Sequence, residues 1–174
     1  MLEIEIKTRS SDNVKVERSL LARGAVPLGV HDQVDEYFNH PSRDFALTDE
    51  ALRLRQDSKG KITYKGPKID HFTKTREEIE MDVDDLDKMA QILLRLGFRR
   101  VAKVTKKRKE FLLDGITVSL DAVEGLGDFV ELEIQGEDAG DGRSRIEKLR
   151  DELGLEDSER RSYLEMLLMQ QTEK

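Results

Sequence analysis

The sequence predicts an α+β protein in which strands close into a β-barrel with a charged bore and helices pack on its outside. Three observations predict it. Many strand-like segments alternate apolar and polar residues with period two, so each presents one apolar and one polar face. The polar faces carry charge, with acidic doublets on some segments and basic doublets on others. Four further segments read as helices, and each needs an apolar surface to pack on. An open sheet or sandwich with solvated polar faces accounts for the alternation equally well. Two features favour closure. Solvated faces usually mix Thr, Ser and Gln with their charges, and the helices leave the Leu, Ile and Val faces as their only platform. If helices cover the apolar faces, the charged faces must meet one another around a lumen.

Strands are predicted over 2–8, 28–39, 50–57, 61–66, 73–83, 98–113, 116–124 and 128–135. In EIEIK at 3–7, Glu3, Glu5 and Lys7 oppose Ile4 and Ile6. ALRLRQ places Arg53 and Arg55 opposite Leu52 and Leu54, and KITYK places Lys61, Thr63 and Lys65 opposite Ile62 and Tyr64. TKTREEIEMDV aligns Arg76, Glu78 and Glu80 against Ile79, Met81 and Val83. VTKKRKEF aligns Lys106 with Arg108, which leaves Lys103, Lys107 and Lys109 for a solvated outer face. ITVSLDAV sets Thr117, Ser119 and Asp121 against Val118 and Leu120, and FVELEIQ sets Glu131, Glu133 and Gln135 against Val130, Leu132 and Ile134. DSKG at 57–60 and Asp114-Gly115 are the hairpin signals.

Helices are predicted over 12–23, 84–96, 143–153 and 158–171. Ser11 and Asp12 cap the first and Gly24 ends it; Asp84 and Asp85 precede the second, which Gly97 ends, and Gly154 ends the third. Tyr163, Leu164, Leu167 and Leu168 form the apolar stripe of the fourth, with Tyr163 able to border one mouth of the lumen. An E-x-E strand followed by a glycine-closed helix recurs at 3–5, 78–80 and 131–133, a divergent internal repeat around a common centre.

The chain has 174 residues and no cysteine, 39% of it charged against roughly 25% in typical proteins, with a formal net charge of -7. A single domain over 1–174 is expected, without disulfides or thiolate metal sites. No apolar run is long enough for a membrane span, so a cytoplasmic protein with no membrane partner is expected. The acidic balance argues against nucleic acid as a partner. No GxxxxGK[ST] stretch offers a P-loop. His31, His40 and His71 lack ligand spacing and are assigned no role.

A bore lined by these strands holds a distinctive set of groups. Its carboxylates are hard oxygen donors without Cys or clustered His, which suits Mg²⁺ or Mn²⁺ and not zinc. Its arginines and lysines suit phosphate oxygens. Together they point to a metal-bound polyphosphate.

EIEIK, LRLR at 52–55, YKGPK at 64–68, REEIE at 76–80, KKR at 106–108 and LDAVEGLGDFVELE at 120–133 together resemble the CYTH family, also called triphosphate tunnel metalloenzymes. The likeness runs through nearly the whole chain in order. YKGP, EGLG and RSYLEML at 161–167 are most similar to the class IV adenylyl cyclase branch. The resemblance implies an eight-stranded antiparallel tunnel that binds a triphosphate and divalent cations. By position, Glu3, Glu5, Asp121, Glu131 and Glu133 are the expected metal-side acids. Lys7, Arg53, Arg55, Lys65, Arg76, Lys106 and Arg108 are the expected phosphate holders, and Lys7, Arg55 and Lys106 the catalytic candidates among them. Glu78 and Glu80 are expected to orient the basic groups or bind a second metal. The implied reaction is conversion of ATP to cyclic AMP and pyrophosphate. The same inventory also suits hydrolysis of tripolyphosphate or thiamine triphosphate, or binding without turnover. A monomer or homodimer is expected.

Overall fold

A computed structural model describes residues 2–69, 76–136, 139–156 and 158–173. The elements, in chain order, are β1 (Leu2–Arg9), α1 (Asn13–Ala22), β2 (Val26–Asn39), α2 (Phe45–Thr48), β3 (Ala51–Gln56), β4 (Gly60–Lys65), β5 (Arg76–Val83), α3 (Leu86–Arg95), β6 (Arg99–Leu113), β7 (Ile116–Val123), β8 (Gly127–Gly136), α4 (Ala139–Glu152) and α5 (Tyr163–Thr172). His71 and the first part of the strand predicted over 73–83 fall outside the described residues.

The eight strands close into one barrel in the order β1-β5-β4-β3-β2-β6-β7-β8, every neighbouring pair antiparallel. The alternation read from the sequence sets the faces. Ile4, Ile6, Phe111, Val118, Leu120, Val130, Leu132 and Ile134 point outward into a core closed by Val16 and Leu20 of α1 and Ile146 and Leu149 of α4. Phe38, Leu52 and Leu54 point outward under Phe45 of α2 and Ala90 and Leu93 of α3. Burial of a large aliphatic side chain contributes about 1.5–3 kcal/mol, so these two outer cores hold the barrel wall. One strand is less covered: Ile79 and Met81 on the outer face of β5 are 60% and 62% exposed and belong to neither outer core.

A third apolar cluster lies inside the barrel. Val104, Val123 and Phe129 share the inward parity of Lys106, Asp121 and Glu131, and pack with Leu126 against Tyr163 and Met166 of α5. The charged faces therefore turn apolar at one end, and α5 docks on that end.

Local chemistry explains the element ends. Asp12, Asp85 and Ser162 accept the Lys15, Lys88 and Glu165 amides as N-caps, and the Glu165 carboxylate accepts from the Ser162 amide to complete a capping box. The fourth helix starts later than predicted, because Ser158 bridges Thr8 and the Glu159 amide donates to the Lys7 carbonyl before the Ser162 cap. The third starts earlier. Its Gly142 looks like a breaker, yet a Cβ there would come within 2.8 Å of Ile4 Cδ1, so this glycine lets α4 approach the wall. Asp114 and Gly115, both with positive φ, make the two-residue turn between β6 and β7.

Candidate functional site

The inward faces enclose a cavity of about 550 Å³. It is lined by Glu3, Glu5, Lys7, Arg53, Arg55, Lys65, Arg76, Glu78, Glu80, Lys106, Arg108, Glu131 and Glu133, the whole predicted set apart from Asp121. The strand order groups most of them by charge, with Glu78 and Glu80 on β5 and Lys7 on β1 as the exceptions. Arg53, Arg55, Lys65 and Arg76 stand on the contiguous β3, β4 and β5, while Lys106 and Arg108 stand on β6. Between these basic walls runs the β1–β8 seam with Glu3, Glu5, Glu131 and Glu133.

On the first basic wall, Asp35 accepts from Arg55 Nε at 2.6 Å and from Nη2 at 2.7 Å, and lies 3.9 Å from Arg53 Nη1. Burial pushes the Asp35 carboxyl up, but the Arg55 hydrogen bonds and the Arg53, Arg55 and Lys106 charges outweigh it and hold the group down at about 2. Arg53 donates to Thr63 Oγ1 at 3.2 Å, and Glu80 is 3.7 Å from its Nη2. Its buried Nε has no hydrogen-bond partner among the described residues. Lys65 donates to Glu78, and Lys61 to Glu80 at 2.7 Å. Arg76 reaches the Gly66 carbonyl at 3.5 Å.

On the opposite wall, Arg108 holds both oxygens of Asp121, at 2.7 and 2.6 Å, and donates also to Glu131. Lys106 Nζ is 3.3 Å from Asp121 Oδ2, and the Tyr163 hydroxyl donates to the same oxygen at 2.8 Å. Burial, then the neighbouring Arg108 charge, push the Lys106 ammonium down to about 8.

The seam has the opposite imbalance. Glu5 stands directly across from Glu133 in the β1–β8 register, a cross-strand pair of like charges. Burial, then the Glu133 charge, push the Glu3 carboxyl up to about 8; burial, then Glu5 and Glu131, push Glu133 up to about 7. Among the described residues no three His, Asp or Glu groups already form a ligand cage. The donor set still fits a hard divalent cation, since crowded, desolvated carboxylates are what such an ion relieves.

Sequence reading missed Asp35 and the apolar end of the bore. Gln33, Asp35 and Tyr37 do alternate inward along β2, but polar, acidic and aromatic residues together give no clean charged stripe. The remaining expectations find ordinary surroundings. Lys103 and Lys107 are exposed, and Lys109 reaches outward to Glu17 on α1 at 2.8 Å. His31 lies between Asp57 and Glu110, and His40 packs on Phe45 and Phe98. No helix among the described residues is long and apolar enough to cross a membrane.

A family model for the CYTH domain matches residues 1–163. The chain is 41% identical over 172 residues to the Methanocaldococcus jannaschii protein named "Putative adenylate cyclase MJ0240", covering 95% of this chain and 98% of that one. It is 32% identical over 170 residues to the Aeromonas hydrophila protein named "Adenylate cyclase CyaB", covering 92% and 86%. Among solved structures, the PH1819 protein of Pyrococcus horikoshii OT3 superposes with a TM-score of 0.88 at 41% identity, covering 97% of this chain and 99% of that one. Ordered motifs, barrel topology, charged bore and family match agree, and this chain belongs to the CYTH domain family.

Proposed function

We propose that the protein is a divalent-cation-dependent enzyme acting on a triphosphate, and that it converts ATP to cyclic AMP and pyrophosphate. The relatives named as adenylate cyclases support the choice of reaction. The observation that carries the triphosphate itself is the bore: cations from separate walls converge on one cavity.

In this reading the phosphates lie along the bore. Arg53, Arg55, Lys65 and Arg76 hold oxygens from one wall, Lys106 and Arg108 from the other, and Lys7 from the β1–β8 seam between them. Lys7, Arg55 and Lys106 act on the reacting phosphate, while Glu78 and Glu80 hold Lys65 and Lys61 in place. The carboxylates of Glu3, Glu5, Glu131 and Glu133 hold Mg²⁺ or Mn²⁺, which when bound neutralises phosphate charge and lowers the pKa of a nearby hydroxyl. The ribose 3′ hydroxyl gives up its proton to water, its oxygen bonds to the α-phosphorus, the bond from that phosphorus to the α–β bridging oxygen breaks, and pyrophosphate departs with the electron pair. The chain contributes positioning and fixed charge to this transfer.

Purified protein incubated with Mn²⁺ and ATP, or with Mn²⁺ and tripolyphosphate, tests the reading. Cyclic AMP and pyrophosphate in equal amounts are expected from ATP. Orthophosphate from tripolyphosphate, ATP or thiamine triphosphate without cyclic AMP would replace cyclisation by hydrolysis at the same site. Binding without any product would make the chain a sequestering module. Neither binding nor turnover would remove the triphosphate reading altogether.

A further inference from the structure

α5 brings one side chain into the bore that the proposed chemistry leaves unused. Tyr163, the first residue of that helix, is only 6% exposed. Its hydroxyl donates to Asp121 Oδ2 at 2.8 Å, and its ring stacks edge-on to Phe129 with centroids 5.0 Å apart. The Lys7 ammonium lies 4.3 Å from the ring centroid and the Lys106 ammonium 5.0 Å, both within cation–π range. Asp121 is fully inaccessible, does not line the cavity, and has both oxygens engaged by Arg108 while Lys106 approaches one of them. A carboxylate so enclosed lacks an open face for a cation, whereas Glu131 and Glu133 on the adjacent strand line the cavity.

We infer that Tyr163 and Asp121 form a positioning pair: the hydroxyl fixes Asp121, Asp121 holds Arg108 edge-on to the bore, and the ring sets Lys7 and Lys106. This rests on the triphosphate reading and gives α5 a role in it. The pair touches no phosphate itself; it acts through three cations on β1 and β6. Asp35 performs the equivalent task for Arg55 on the opposite wall, so each wall has a buried aspartate behind one arginine. Tyr163 adds a tie on one side only. That tie makes the docking of α5 and the geometry of the basic wall a single event.

The test is calorimetric titration of the holoprotein, loaded with Mn²⁺, with the bis-methylene analogue of tripolyphosphate, which can be neither hydrolysed nor cyclised. Tyr163→Phe keeps the ring and the packing and removes only the hydroxyl. It is expected to weaken the analogue roughly 3- to 10-fold, the scale of one hydrogen bond to a charged group felt through its partner. Tyr163→Leu, which also removes the ring, is expected to weaken it further. In an Asp121→Ala background, Tyr163→Phe is expected to have no additional effect, because the hydroxyl then has nothing to fix. The Mn²⁺ concentration for half-saturation is expected to stay within twofold of wild type in Tyr163→Phe. Wild-type affinity in Tyr163→Phe, with or without a lower melting temperature, would overturn the inference and leave Tyr163 a packing residue. A parallel loss of Mn²⁺ affinity would overturn it by placing Asp121 on the metal side. If the wild type itself neither binds the analogue nor turns over any triphosphate, the functional reading fails and this inference falls with it.

Discussion

Glu5 and Glu133 face each other across the β1–β8 ladder with Glu3 and Glu131 as near neighbours, an arrangement that costs the metal-free protein stability. Its sign with pH follows from the raised carboxyls. Glu3 and Glu133 titrate near 8 and 7 in the fold, against about 4.3 in an unfolded chain. Between those limits the folded state binds more protons, so stability falls as pH rises from about 5 to about 8. The metal-free protein should therefore melt at a higher temperature at pH 5.5 than at pH 8, and Mn²⁺ should raise the melting temperature far more at pH 8. Glu133→Gln removes one of the facing charges. Its metal-free form should melt higher than wild type at pH 8, and the Mn²⁺ response should shrink; an undiminished response in thermal melts would take Glu133 out of the metal site. Asp35 shows the opposite sign. Held at about 2 by its arginines, it contributes stability that is present above pH 4 and lost on acidification towards 2. Asp35→Asn leaves the buried Arg53 and the half-buried Arg55 without their counter-charge and should cost about 3–5 kcal/mol in urea melts.

Elements were legible where periodicity ran for several turns or ladder steps, and illegible where a few residues act through tertiary contact. All eight strands and four helices follow from alternation and caps. The single-turn α2 does not, since four residues carry no period; it exists because Asp44 caps it and Asp49 ends it with positive φ. The apolar end of the bore was hidden for a related reason. Val104, Val123 and Phe129 continue charged faces, and only the docking of α5 explains why those positions lose their charge. Gly60 ends the DSKG hairpin signal, yet it stands as the first residue of β4, paired with Gln56 and Val83. Its backbone is not left-handed; instead a Cβ would meet the Val83 carbonyl oxygen at 2.4 Å and Leu86 Cγ at 2.8 Å, where β4 begins beneath the start of α3. A backbone oxygen cannot swing aside as a side chain can. Gly60→Ala should therefore part β4 from β5 locally and destabilise the protein by about 1–3 kcal/mol in denaturant melts, whereas a turn glycine tolerating a Cβ would lose a few tenths.

At the scale of the molecule, two kinds of interior do different work. The outer cores under α1, α4 and α3 are apolar and hold the wall, so Leu132→Ala, at a site with no exposure, should cost about 2–5 kcal/mol. The bore contributes little net stability, because its ion pairs recover by attraction about what they lose by desolvation. Its opposite imbalances remain: carboxylates crowded along the β1–β8 seam, and cations gathered on the basic walls. A divalent cation relieves the first and a polyphosphate the second, and each also attracts the other across the lumen. Their binding should thus be coupled. Mn²⁺ and bis-methylene tripolyphosphate, each at a concentration that alone raises the melting temperature modestly, should together raise it by more than the sum of the separate shifts. Mass action gives the scale: stabilisation of about 2.7 kcal/mol at one hundred times the dissociation constant, so even a tenfold gain in affinity is readable as a shift of several degrees. Additive shifts would mean that the two ligands occupy independent places, and a bore organised around a metal-bound triphosphate would be the wrong description of this barrel.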